Sequence, residues 1–313
     1  MKLKKEYIIL VSVIVFLILY LVLHRTDRTH YQLPNVSEIP KNKITQLEIN
    51  RSGISIILNK KDNTWYIGSE AYPADLEKVE NMLGIIEKLT VTALVSESEN
   101  YIRYDLNKDK KIDVKAWDGK TLKREFGIGK TASTFRHTFI RLKEDPNVYH
   151  AREDFRLKFT QTIAGLRDKT VMSFDQTDIR QINISKGKDV TIITQTENPQ
   201  KDVEKAEKKE AIWQTTGGRK LDKPKLNQLL SALSEMECET YINDKKKEDF
   251  KDPNYVIRLN GDQEYIISIF PKTVEAAKNY PAVSSENNYP FLLSDSQVDN
   301  INKIVEELIK TEG

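Results

Sequence analysis

A pattern that occurs twice constrains this chain more than any other feature. Ile44-Thr-Gln-Leu47-Glu-Ile49 is echoed by Ile179-Arg-Gln-Ile182-Asn-Ile184, an offset of 135 (179 − 44). Trp65 is echoed by Trp213 and Asp75 by Asp222, at offsets of 148 (213 − 65) and 147 (222 − 75). The lengthening falls on 196–211, a stretch rich in Lys and Glu. It has almost nothing apolar to bury and is expected as a mobile loop between two strands. Self-similarity at this spacing predicts a tandem duplication, each copy large enough for its own core.

Local patterning follows the same repeat. In the first copy, Leu47, Ile49, Ile54, Ile56 and Ile57 predict two strands turned at Arg51-Ser52-Gly53, and Thr64–Ile67 predicts a third. Asp75 stands as an N-cap before Leu76, Val79, Met82, Leu83, Ile86 and Leu89, one face of an amphipathic helix. Strands are then expected over Val91–Val95, Ile112–Trp117, Leu122–Ile128, His137–Leu142 and Val148–His150, with a second helix from about Glu153.

In the second copy, Asp222 precedes the stripe Leu226, Leu229, Leu230, Leu233, Met236. Strands over Tyr255–Leu259, Tyr265–Phe270, Pro281–Val283 and Phe291–Leu293 precede a last helix carrying Val298, Ile301, Ile304, Val305 and Leu308. The expected class is α+β: two related modules, 44–165 and 178–313, joined by a connector over 166–177. Each would be a largely antiparallel or mixed sheet with two helices.

Ahead of the modules, Tyr7–Leu23 carries no charge, no Gly and no Pro. Residues 1–23 are therefore expected as an N-terminal transmembrane anchor, with Tyr7, Ile8, Leu10, Val15, Phe16, Leu19, Tyr20 and Leu23 facing lipid. From Val13 through Val36 there is no Ala, Gly, Ser or Cys, so a signal peptidase finds no small-residue site and the span should stay uncut. Lys2, Lys4 and Lys5 outweigh Arg25 and Arg28, which favours a cytoplasmic N-terminus and an extracytoplasmic body. Residues 24–43, polar with Pro34 and Pro40, read as a stalk. The expected location is the bacterial cell envelope, with the lipid bilayer held through residues 7–23.

Composition narrows the partners. A formal net charge of +2 with 31% charged residues mixes both signs and argues against nucleic acid. One Cys excludes an internal disulfide framework.

The candidate chemical motifs fail on spacing. Gly127-Ile-Gly129-Lys130-Thr131 lacks the upstream Gly of a phosphate-binding loop, Arg124 standing there instead, and reads as a strand ending in a Gly turn. Asp105, Asn107, Asp109 and Asp113 have the spacing of calcium-loop ligands. The required Gly and the bidentate Glu are replaced by Lys110 and Ala116. His24, His30, His137 and His150 show no zinc spacing, and no Gly-x-Ser-x-Gly elbow is present. Cys238 reads as an inert thiol. Trp65 and Trp213 read as matched core residues. No catalytic residue, cofactor or metal site is expected.

Taken together, the Trp–Asp pairs, Tyr104-Asp105-Leu106-Asn107, Phe126-Gly127-Ile128-Gly129-Lys130-Thr131 and Leu166-Arg167-Asp168-Lys169 resemble the bacterial domain-of-unknown-function family numbered 4340. The family pattern favours Gly where this chain has Asp105. Family members are envelope proteins, often encoded beside ABC transporters of the gliding-motility type. The resemblance implies an accessory role through protein contact, with ABC transporter subunits as partners, and no functional residues to carry over. The other expectations are an envelope glycan- or lipid-binding module, with aromatics such as Tyr72, Tyr101, Tyr104, Trp117 and Tyr280 lining a cleft, and an envelope hydrolase.

Overall fold

The computed structural model describes residues 5–23, 31–197, 211–272, 274 and 277–309. The chain forms two compact units, Met1–Ala71 with Leu76–Gln161, and Tyr72–Asp75 with Thr162–Gly313.

The first unit contains α1 (Lys5–Leu23), β1 (Gln46–Arg51), β2 (Ile54–Lys61) and β3 (Thr64–Ile67). The two-residue strand β4 (Tyr72–Pro73) falls in the second unit. The first unit resumes with α2 (Leu76–Glu87), β5 (Val91–Ser96), β6 (Ile112–Asp118), β7 (Thr121–Thr131), β8 (His137–Leu142) and β9 (Val148–Arg152). Its strands lie in the order β3-β2-β1-β6-β7-β8-β9-β5 and pair antiparallel. Val79, Met82, Leu83 and Ile86 of α2 are buried at helical spacing. Alternate residues of the central strands (Leu47, Ile49, Val114, Ala116, Phe126, Ile128) are buried as well. This alternation puts one face of the sheet in the core and leaves the other outside it.

The second unit contains α3 (Ile163–Leu166), β10 (Thr170–Ser173), β11 (Gln181–Lys186), β12 (Asp189–Glu197), β13 (Ala211–Thr215), α4 (Lys223–Ser234), β14 (Glu235–Glu237) and β15 (Thr240–Tyr241). It continues with β16 (Tyr255–Asn260), β17 (Glu264–Ile269), β18 (Asn279–Ser284), β19 (Phe291–Ser294) and α5 (Asp295–Ile309). The sheet order is β13-β12-β11-β16-β17-β18-β19-β15, while β10 and β14 make a separate ribbon. Leu226, Leu229, Leu230 and Leu233 of α4 share a core with Val298, Ile301, Ile304, Val305 and Leu308 of α5.

The two sheets run in the same strand order, position by position, and in the same register. Leu47 lies opposite Leu58 and Ala116; Ile182 lies opposite Ile193 and Leu259. Trp65 faces Lys60 and Trp213 faces Gln195, partners that are themselves 135 apart (195 − 60). Across the first three strands of each sheet the offset therefore changes between β12 and β13, where residues 198–210 of the charged insert fall outside the described residues, and by β16 it has changed again, to 143 (259 − 116).

Three expectations are corrected. The α+β class gives way to a mostly β molecule, two large antiparallel sheets with few helices. The second helix near Glu153 is missing. Glu153 sits at φ +73°, and the chain makes only a 3₁₀ turn over Arg156–Phe159 and the single turn of α3, capped by Thr162. Arg156 is held out of a longer helix because its guanidinium donates to the carbonyls of Ile128 (3.1 Å), Gly129 (2.5 Å) and Lys110 (2.7 Å).

The third correction concerns the membrane anchor. Among the described residues no helix is long and apolar enough to cross a membrane. α1 begins with Lys5 and Glu6, and its uncharged run reaches only ~25 Å at ~1.5 Å per residue, against ~30 Å of hydrocarbon. The single-pass anchor, and the envelope location with a cytoplasmic N-terminus that depended on it, are thereby overturned. Of the stalk, residues 24–30 lie outside the described residues, and 41–43 form a 3₁₀ turn.

Candidate functional site

The solvent face of the first sheet is built from two rows of polar side chains crossing β1, β6, β7 and β8. In one row Glu48 lies opposite Lys115, Lys115 opposite Glu125, and the Lys143 amide donates to the Glu125 carbonyl (3.2 Å). The charges alternate along it, and Glu48–Lys115 and Glu125–Lys143 close to 3.6 and 3.2 Å. In the next row Asn50 faces Asp113, Asp113 faces Gly127, and Gly127 faces Arg141. Gly127 leaves a gap there, and the surrounding side chains rim an open depression of about 210 Å³. Arg141 makes no ion pair among the described residues; its guanidinium lies 4.9 Å over the Tyr101 ring.

Beside this face, the segment Tyr101–Leu106 crosses the sheet. A Cβ on Gly129 would meet the Tyr104 carbonyl at 2.2 Å and Leu106 Cγ at 2.9 Å, so the crossing requires glycine there. Asp105 ends the 3₁₀ turn Tyr101–Tyr104 in the left-handed region, φ +54°, which explains a preference for Gly at that position. The Tyr104–Asn107 and Phe126–Thr131 motifs thus meet in space. Gly127 and Gly129 lie within β7 and do not end a strand. The calcium-like carboxylates are engaged by lysines, Asp105 by Lys110 (3.1 Å) and Asp113 by Lys111 (2.8 Å).

His137 and His150 stack at 5.2 Å on β8 and β9, and Phe139 packs on His150 at 4.8 Å. His150 Nε2 is buried with no hydrogen-bond partner among the described residues. Burial, and then the neighbouring His137, hold its pKa below the ordinary imidazole value. Sequence spacing missed this pair because cross-strand neighbours thirteen apart (150 − 137) leave no motif.

In the second unit, Arg167 is 4% exposed and enclosed by tyrosines. Its guanidinium lies 3.8 Å from the Tyr72 ring, 3.7 Å from Tyr241 and 4.9 Å from Tyr289, and donates to Asn243 Oδ1 at 3.0 Å. Tyr241 donates to the Asp168 carbonyl (2.7 Å) and accepts from Asn287 (3.0 Å). Burial lowers the Arg167 pKa and raises that of Tyr241; it pushes the Cys238 thiol up to about 11. Cys238 is therefore protonated and unreactive at neutral pH. The box is a buried cation stabilised by aromatic faces, with no carboxylate partner among the described residues.

Trp65 and Trp213 are core residues, 2% and 7% exposed. Asp222 occupies the N-cap position of α4 without a side-chain capping bond, and Asp75 donates its amide to the Leu166 carbonyl. Of the expected anchor residues, Tyr7, Leu10, Val15, Phe16, Leu19 and Tyr20 are exposed on α1; the side chains of Ile8 and Leu23 lie outside the described residues. The aromatics expected to line one cleft are dispersed. Tyr72 covers Arg167, Tyr101 covers Arg141, Tyr280 covers Lys272, Tyr104 is buried, and Trp117 is half-buried.

The model of the family described as Domain of unknown function (DUF4340) matches residues 65–253. No curated protein and no solved structure matches the chain.

Proposed function

The chain belongs to the DUF4340 family, and we propose that it acts without chemistry of its own, as an accessory subunit that binds other proteins. The observation that carries this reading is the two-row face of β1, β6, β7 and β8, with charges of both signs around a shallow depression. Exposed ion pairs of this kind are worth only ~0–1 kcal/mol each, so their members exchange internal partners for external ones at little cost. A lattice of alternating sign favours one docking register over others and speeds encounter. The partners proposed are components of an ABC-type transport or gliding-motility-like complex.

The test places a photo-crosslinking residue at Lys143 in the full-length protein in its own cells. Crosslinks to transporter subunits are expected, and they should weaken when Arg141→Glu is added. Failure to recover any transporter component would remove the reading.

A further inference from the structure

A second concavity of the first unit, unconnected with the charged face, carries the marks of an anion site. It lies between α2 and the chain following β9, a half-open cleft of about 230 Å³. Its floor includes buried Leu89 and Phe155, and Gly84 of α2 opens it, since a Cβ there would meet nothing within 4 Å. Three cations line it: Lys88, Arg152 and Lys158.

None of the three makes an ion pair among the described residues, whereas the acids around them are largely committed. Lys41 holds Glu80 through its ammonium (2.5 Å) and Glu87 through its backbone amide (3.0 Å). The carbonyls at the end of α2 are satisfied too. Arg124 donates to those of Ile86 and Glu87, so they do not compete for the cleft's cations. Glu153 is the remaining carboxylate in the lining. Three positive groups against one negative leave a surplus of about two charges, which matches a phosphate monoester at neutral pH, −1.5 to −2.

The rim is held in place. Glu153 sits at φ +73°, fixed by its amide donating to the Arg136 carbonyl (2.9 Å) and its carbonyl accepting from Thr138 Oγ1 (2.9 Å). Thr138 Oγ1 in turn accepts from the Phe155 amide (3.1 Å). Arg152 and Phe155 are thereby presented from a backbone with little freedom to rearrange. An arginine fork with two lysines suits a tetrahedral oxyanion.

We infer that this cleft binds the phosphate group of a small phosphomonoester, with Arg152, Lys88 and Lys158 as its cationic ligands. The monoester is either free in solution or the head of a lipid. Full-length protein is titrated by calorimetry with inorganic phosphate and with glycerol phosphate, and tested by flotation with vesicles containing phosphatidic acid. Saturable binding of at least one probe, weakening as salt rises, is the expected result. The arm that binds more tightly identifies the source.

Two variants separate the site from general charge. Arg152→Gln with Lys158→Gln should weaken binding at least tenfold, equivalent to about 1.4 kcal/mol. Gly84→Leu leaves every charge in place and fills the cleft; it should weaken binding as much while leaving the melting temperature unchanged or higher. Absence of binding by all three probes, or unchanged affinity in either variant, would overturn the assignment.

Discussion

His150 shows how one side chain can set a pH limit on the fold. Its imidazole packs against His137 and Phe139, and its Nε2 has no hydrogen-bond partner among the described residues. The folded protein resists protonating it, so its folded pKa lies below the ordinary 6.5. The unfolded chain takes up the proton more readily as the pH falls through 6.5. The contribution of His150 to stability is therefore complete above that value and declines at lower pH. Between pH 7 and pH 5 the wild type should lose thermal stability that His150→Phe retains, a difference of about 1–2 °C for a partly exposed group. Parallel melting curves for the two proteins over that range would remove the assignment. Arg167 carries a comparable lesson about legibility. Its place in a short motif was visible, but the tyrosines around it come from positions 72, 241 and 289, which only tertiary structure brings together.

At the scale of the element, β7 is the informative strand. Its glycines looked like a turn because local sequence gives no sign of what lies above the sheet. The physical reason for Gly129 is the backbone of Tyr104, passing where a Cβ would stand. Gly127, two residues away, has open ground, its nearest contact being 3.6 Å from Asp113 Oδ1. The two positions should respond unequally. Gly129→Ala should destabilise by about 3 kcal/mol or more, since backbone must move, and Gly127→Ala by less than about 1 kcal/mol. Urea unfolding of both variants measures the contrast, and equal losses would contradict the crossing. The α2 and α4 stripes and the paired strands were legible because burial imposes a strict period on each. The helix expected near Glu153 was not, because the bonds that prevent it run from Arg156 to carbonyls 27 to 46 residues away.

For the whole molecule, the doubled architecture could be read from the repeat of hydrophobic period, since two sheets of one strand order impose one pattern twice. Tyr72–Asp75, which leaves the first unit to complete the second, was not legible in that way. Its membership rests on the Ala74–Arg167 bridge, on Asp168 donating its amide to the Pro73 carbonyl (2.9 Å), and on Tyr72 covering Arg167. Tyr72→Ala should therefore loosen the second unit, costing about 2–3 kcal/mol through lost aromatic burial and a desolvated cation–π contact. Hydrogen exchange should quicken in β10 and β15 and leave β6 and β7 unchanged. Quickening confined to β6 and β7 would refute the assignment.

The displaced quartet Tyr72–Asp75 also sets a timetable for synthesis. The first unit's own segments have all left the ribosome once Gln161 emerges, while the unit that the four residues from its midst help to complete is still to be made. At ordinary elongation rates α5, whose apolar stripe helps build the second unit's core, follows on the order of ten seconds or more after them. For that interval the quartet can hold only its near partners Leu166, Arg167 and Asp168, while the core that α5 helps to close stays open.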